Sequence, residues 1–132
     1  MAAINKLNFA EEAERVIESM RVENRQGEKK LKLTTSKIRN MLTMTNNLYN
    51  ELLKKTNEEL SDDTAGNIQY LKMKFAYEAG RDAEVKKFVT KAKLMENIAA
   101  IGRSREKALL FCKYMESLVA YHKFYGGKDR NR

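Results

Sequence analysis

The apolar residues of this chain recur at steps of three and four positions, and none of its 132 residues is proline. Steps of this size return to the same side of an α-helix, whereas a half-buried β-strand requires an apolar residue at every second position. No stretch of the chain shows sustained alternation of β-branched residues. The pattern therefore predicts an all-α fold, a compact bundle of about five helices.

Capping residues and glycines mark the expected ends of these helices. The first helix is expected to begin at Asn8, which has the spacing of a capping box with Glu11, and a polar linker around Gly27 follows it. The third helix is predicted over about 67–79, after an acidic turn, and is ended by Gly80. The N-caps predicted for the other three helices are Thr34 or Thr35, Asp82 and Ser104.

The two C-terminal helices differ in how their apolar residues are arranged. The fifth helix is apolar on more than one side and ends at the glycine pair Gly126-Gly127. A helix of that kind lies at the centre of its bundle or meets a partner subunit. The fourth helix has a single stripe, which Gly102 ends, formed by Val85, Phe88, Val89, Ala92, Met95 and Ala99.

The length of the chain predicts one domain, 1–132, with a core over about 8–126 and a basic tail over 127–132. No apolar run approaches the roughly 18 residues that span a bilayer, and the N-terminus shows no apolar signal-peptide region. The one cysteine, Cys112, has no partner for an intramolecular disulfide. We therefore expect a reducing, cytoplasmic location.

The residues able to carry out chemistry do not form a catalytic set. Cys112 and the one histidine, His122, are separated by about 15 Å along one predicted helix, too far for a nucleophile and its base. Asp62 and Asp63 form a tight acidic pair that we interpret as capping or solvated residues. The sequence YGGK at 125–128 resembles half a phosphate loop, but its glycines end a helix instead of beginning one. We therefore predict no enzyme, no metal site and no cofactor, and interpret His122 as a packed residue.

Positive charge is unevenly distributed along the chain, which has a net charge of +8. Residues 25–39 carry six positive side chains and one negative, and residues 101–132 carry eight positive and three negative. A basic field on part of the surface favours a polyanionic partner, although runs of charge also occur on ordinary solvated faces. No zinc finger, RNP1-type aromatic motif or GXXG loop supports sequence-specific readout of a nucleic acid.

The start of the second helix combines cations with hydrogen-bond donors. Lys37 and Arg39 lie in its first turns, where positive charge opposes the helix dipole, so helix stability does not explain them. Exposed backbone N–H groups at this terminus, together with the hydroxyls of Thr34, Thr35 and Ser36, are suited to hold a phosphate. This terminus is therefore a candidate contact for a polyanion.

Three stretches of the chain together resemble a known family: LTTSKIRNMLTMTNNLYNEL, IQYLKMKFAYEAGRD with VKKFV, and SREKALLFCKYMESLVAYHKFYGGKD. Over about residues 33–129 the chain is similar to the small α-helical subunit of the type III-A CRISPR effector assemblies, the Csm complexes. The resemblance implies a non-enzymatic bundle, stacked in several copies beside the backbone subunits that hold the CRISPR RNA. Its basic surface would touch guide and target RNA without reading their sequence, as part of antiviral defence.

On the motifs that match, the resemblance implies RNA contacts at Lys37 and Arg39 of TTSKIR, Arg81 of EAGRD and Lys128 of YGGKD. The implied partners are the backbone of CRISPR RNA and target RNA, other Csm subunits and other copies of this chain, with no membrane. The alternative is a helical protein–protein adaptor whose basic patch binds an acidic partner subunit instead of RNA. Further candidates for RNA contact are Lys72, Lys113 and Lys123.

Overall fold

The computed structural model describes residues 4–129, which form six α-helices and one β-hairpin. The prediction of a compact, mostly helical bundle is confirmed. Residues 130–132 of the predicted basic tail lie outside the described residues. The elements are α1 (Phe9–Ser19), β1 (Arg21–Glu23), β2 (Lys29–Leu31), α2 (Thr35–Lys54), α3 (Asp62–Arg81), α4 (Ala83–Lys91), α5 (Leu94–Ala99) and α6 (Arg105–Phe124).

Helix α6 lies at the centre of the bundle, where it packs mainly against α1 and α2 and also contacts α5. Its residues Phe111, Met115 and Leu118 are fully buried. The ring of Phe111 packs against that of Phe75 on α3, with 6.3 Å between the ring centroids. The expectation that a helix apolar on several sides takes a central position is therefore confirmed.

The predicted fourth helix is divided into α4 and α5, which is why the bundle has six helices. Lys93 adopts the left-handed conformation, with φ at +55°, and this interrupts the helix. After the break Leu94 and Ile98 are buried, Met95 is half-buried against the core and Ala99 is exposed, so of the predicted end of the stripe Ala99 was wrong. A continuous helical period does not anticipate a change of face caused by one backbone conformation.

The polar linker predicted around Gly27 is a two-stranded antiparallel hairpin, with Arg21 paired to Leu31 at its base. Gly27 has φ at +81°, which a glycine adopts without steric cost. The side chain of Asn24 accepts hydrogen bonds from the backbone N–H groups of Gln26 and Glu28, each at 2.9 Å. Such local bonds form a tight turn between strands of only three residues, too short to show a period of two.

The N-caps predicted for α2, α4 and α6 are confirmed. Thr34, Asp82 and Ser104 each accept a hydrogen bond from a backbone N–H group in the first turn of their helix. These caps satisfy donors that would otherwise lack partners at the helix N-termini.

Helix α1 begins directly after Asn8, as predicted, but the predicted capping box and the predicted limits of α3 were wrong. The side chain of Asn8 makes no capping bond to α1, and it accepts a hydrogen bond from the N–H of Asn5 instead. Helix α3 begins at Asp62, because Ser61 caps it, and Gly80 lies inside the helix. The expected acidic turn thus contributes the first turn of α3, where negative charge is favourable.

Candidate nucleic-acid interface

One end of the bundle brings together cations that are far apart in the sequence. The side chain of Lys37, at the start of α2, forms an ion pair with Asp82, which directly follows Arg81 at the end of α3. The N–H of Thr35 donates to the carbonyl oxygen of Lys128 at 3.4 Å, which joins the segment after α6 to the same place. We call this surface the basic end and define it by Lys37, Arg39, Arg81, Lys123 and Lys128.

Lys37 differs from the other cations of the basic end because its ion pair joins two segments that are distant in the sequence. Its partner Asp82 is also the N-cap of α4, where its carboxylate accepts hydrogen bonds from the backbone N–H groups of Glu84 and Val85. The bond from Lys37 and these backbone bonds hold the pKa of the Asp82 carboxyl below its usual value. Lys37 therefore joins the start of α2 to the start of α4, a structural role that the sequence did not indicate.

The remaining cations are more accessible. Arg39 and Lys128 are exposed, and neither forms an ion pair with any residue from 4 to 129. The guanidinium of Arg81 lies 3.7 Å from a carboxylate oxygen of Glu78 and 5.5 Å from the ring centroid of Tyr77. Exposed ion pairs of this kind contribute little to stability, so Arg81 remains available to an external anion.

The N-terminus of α2 is occupied by the chain itself, which corrects the expectation of a phosphate there. The N–H and the hydroxyl of Ser36 both donate to one carboxylate oxygen of Asp129, at 3.0 and 2.7 Å. A carboxylate is stabilised at a helix N-terminus for the same reason as a phosphate, by unpaired N–H groups and the helix dipole. The N–H groups of Thr35 and Ser36 and the hydroxyl of Ser36, which were predicted to hold phosphate, therefore anchor the C-terminal segment.

A glycine turn directs this segment back towards α2. Gly126 has φ at +93°, and its N–H bonds to the carbonyl of Lys123 at 3.1 Å. The N–H of Gly127 bonds to the carbonyl of His122 at 2.7 Å. These two bonds form a Schellman motif, the common glycine ending of an α-helix. The glycines of YGGK thus end α6, as predicted, and do not form a phosphate loop.

His122 is a packed residue, as predicted. It is buried, and its Nε2 lies 2.7 Å from the carbonyl oxygen of Leu33. Because a carbonyl only accepts, Nε2 carries the proton and donates it to this bond. Burial disfavours the charged ring and lowers the pKa of His122, and the nearby Lys123 lowers it further.

Stability should therefore fall as the pH drops below about 6.5, the ordinary pKa of histidine. In this window the unfolded chain takes up a proton at His122 and the folded chain does not, so acid favours unfolding. The slope is at most about 1.4 kcal/mol per pH unit. Urea unfolding at pH 7.5, 6.5 and 5.5 measures it. The variant His122→Gln should lose this dependence, and an equal slope in both proteins would contradict the assignment.

The structure places Lys72 and Lys113 away from the basic end. Lys72 precedes Arg81 by nine residues on α3, about 14 Å along the helix axis. Lys113 lies near the middle of α6 and lines a hollow of about 500 Å³ together with Phe9 and Asn97. Four of the five residues that form the basic end come from the three motifs that suggested RNA contact, and Lys123 completes the set.

Sequence reasoning missed a row of exposed residues on α3. Tyr70, Met73 and Tyr77 are 57%, 54% and 63% exposed, which is unusual for three large side chains on one helix. Their spacing of three and four was visible in the sequence beside the buried stripe that contains Ile68 and Leu71. Helical spacing alone does not indicate which of two neighbouring stripes is exposed.

Three further features of residues 4–129 bear on metal binding, thiol reactivity and membrane insertion. No three His, Cys, Asp or Glu side chains of this part of the chain are grouped closely enough to hold a metal ion. Burial raises the pKa of the Cys112 thiol to about 12, so it is not a reactive thiolate at neutral pH. None of the described helices combines the length and hydropathy needed to cross a membrane.

Comparison with known proteins gives a consistent result. A family model described as Csm2 Type III-A matches residues 10–128. A Streptococcus thermophilus protein named CRISPR system Cms protein Csm2 is 40% identical over 129 residues, which cover 98% of this chain and all of the relative. Proteins of the same name from Enterococcus italicus and Mycobacterium tuberculosis H37Rv are 38% and 42% identical, over 90% and 74% of this chain and 88% and 79% of the relatives.

Proposed function

This chain belongs to the Csm2 family of type III-A CRISPR systems, and we propose that it contacts the backbone of guide and target RNA through its basic end. It is a small subunit of a type III-A CRISPR Csm complex, and the other subunits of that complex are its partners. The proposal adds that the subunit is non-catalytic, stacks in several copies, and works in the cytoplasm in antiviral defence.

The observation that carries this proposal is the convergence of cations from separate elements. Arg39 of α2, Arg81 of α3 and Lys128 after α6 are exposed at one end of the bundle. Lysine and arginine contacts to phosphate supply affinity without regard to base sequence. A single copy offers few such contacts and should bind weakly. Stacked copies along one RNA would add their contacts and convert weak binding into stable retention.

The proposal is tested by a triple variant, Arg39→Ala/Arg81→Ala/Lys128→Ala, that leaves the Lys37–Asp82 pair intact. The affinity falls as salt is added, and each removed phosphate contact should make the slope of log affinity against log salt less steep by about 0.7. We therefore expect the slope to fall by about 2 for an unstructured RNA, and the affinity at low salt to fall about tenfold or more. Fluorescence anisotropy of the full-length chain over a salt series measures both.

A second triple variant, Lys6→Ala/Lys54→Ala/Lys107→Ala, provides the matched control. These exposed lysines lie at the opposite end, where α2 ends and α1 and α6 begin, and their removal changes the net charge by the same amount. Equal losses in both variants would mean that binding follows net charge, and the basic end would not be the interface. If the wild-type chain does not bind RNA but retains an acidic partner subunit through the basic end, the adaptor alternative is correct.

A further inference from the structure

The exposed row on α3 lies on the side of the helix that faces away from the core. Tyr70, Met73 and Tyr77 are separated by three and four residues, so they form one continuous strip about two turns long. The opposite side of α3 is buried, with Phe75 fully enclosed. Helix packing within this chain therefore does not explain why aromatic side chains occupy the outer strip.

Cations accompany both aromatic rings of this strip. The Nζ of Lys74 lies 5.0 Å from the ring centroid of Tyr70, and the guanidinium carbon of Arg81 lies 5.5 Å from that of Tyr77. These distances are those of cation–π contacts. Arg81 is also a member of the basic end, so the strip is continuous with the candidate RNA surface.

The charge of the strip favours a polyanion over an apolar protein surface. The part of α3 that runs from Gly66 to Arg81, sixteen of its twenty residues, carries three cations and one anion, Glu78. Proteins that bind single-stranded nucleic acid without sequence preference combine cations along the backbone with aromatic rings on which bases stack. Tyr70 and Tyr77 are about 10 Å apart along the helix axis, so the two rings provide separate platforms.

We propose that the α3 strip stacks unpaired bases of RNA on Tyr70 and Tyr77, while Lys74 and Arg81 contact the adjacent phosphates. This inference rests on the proposed function and adds to it a single-stranded ligand and a mode of contact. Every base has a π-face, so stacking preserves the indifference to sequence that phosphate contacts give. Paired bases are already stacked within a duplex, so the strip discriminates unpaired from paired RNA.

The test compares a single-stranded RNA with an abasic ribose-phosphate oligomer of the same length and charge. Wild-type protein should bind the RNA about fivefold or more tightly than the abasic oligomer, because each stacked base adds affinity. The variant Tyr70→Ala/Tyr77→Ala should bind both ligands equally, with the salt slope of the wild type. Tyr70→Phe/Tyr77→Phe keeps the rings and should retain the preference. Tyr49→Ala on α2, which removes another exposed tyrosine, serves as the control.

The outcomes separate the strip from the basic end. If the wild type does not prefer RNA to the abasic oligomer but both bind with a steep salt slope, base stacking is wrong and the phosphate contacts stand. If neither ligand binds, both proposals fail. If the tyrosine-to-alanine variant binds RNA normally but no longer joins the Csm complex, the strip is a protein interface and the inference is overturned. Circular dichroism should be unchanged, since both rings are exposed.

Discussion

Replacing Gly127 with alanine should lower the free energy of unfolding by about 3 kcal/mol. A Cβ at this position would lie 2.0 Å from Cε1 and 2.1 Å from Nδ1 of His122. The ring has no room to withdraw, because it is buried and its Nε2 donates to the carbonyl of Leu33. The variant must therefore distort the turn after α6 or break the hydrogen bond. Urea unfolding, with the slope against denaturant checked for constancy, measures the loss.

Gly80→Ala is the matched control for this prediction. A Cβ at Gly80 would have no neighbour within 4 Å, and this glycine lies inside α3. Alanine should therefore stabilise the protein by about 0.5–1 kcal/mol through its better helix propensity. If both substitutions have the same sign and size, close packing of Gly127 against His122 is not the cause.

Truncating Phe111 to alanine should cost about 3–5 kcal/mol, a large fraction of the stability of a domain of this size. The side chain is fully buried on the central helix and packs against the ring of Phe75. The cost has two parts, the burial free energy of the ring that is lost and the free energy of the cavity that remains. Thermal and urea unfolding of the full-length chain measure this effect.

Phe124→Ala on the same helix tests whether position, and not residue type, determines the cost. Phe124 is 74% exposed, and its ring packs edge-on against those of Tyr121 and Tyr125. Its truncation should cost less than about 1 kcal/mol, as for other exposed sites. A loss equal to that of Phe111→Ala would mean that α6 is not packed as described.

The parts of the fold that the sequence predicted are those determined by local interactions. Thr34, Asp82 and Ser104 were correct caps because each bonds to a backbone N–H group within three residues. The break at Lys93 was missed because a left-handed lysine has no signature in the sequence.

The candidate site shows the same division between local and distant interactions. The cations were visible in the sequence, and the resemblance to a family selected among them. Lys37 pairs with Asp82, 45 positions away, and Ser36 pairs with Asp129, 93 positions away. Helical periodicity does not predict contacts between residues so far apart in the sequence. These contacts add to what the sequence indicated. Lys37 also links the start of α2 to the start of α4 through Asp82, and the N-terminus of α2 is closed by the chain's own carboxylate.

The location of the RNA contact is tested most directly by crosslinking in the assembled Csm complex with target RNA bound. Ultraviolet crosslinks, identified by mass spectrometry of the attached peptides, should fall on segments that contain Arg39, Arg81 and Lys128. They should persist when the base sequences of guide and target are changed together, since the phosphates are the expected ligands. Crosslinks confined to the opposite end, around Lys54 and Lys107, or no crosslinks to this subunit at all, would contradict the proposed interface.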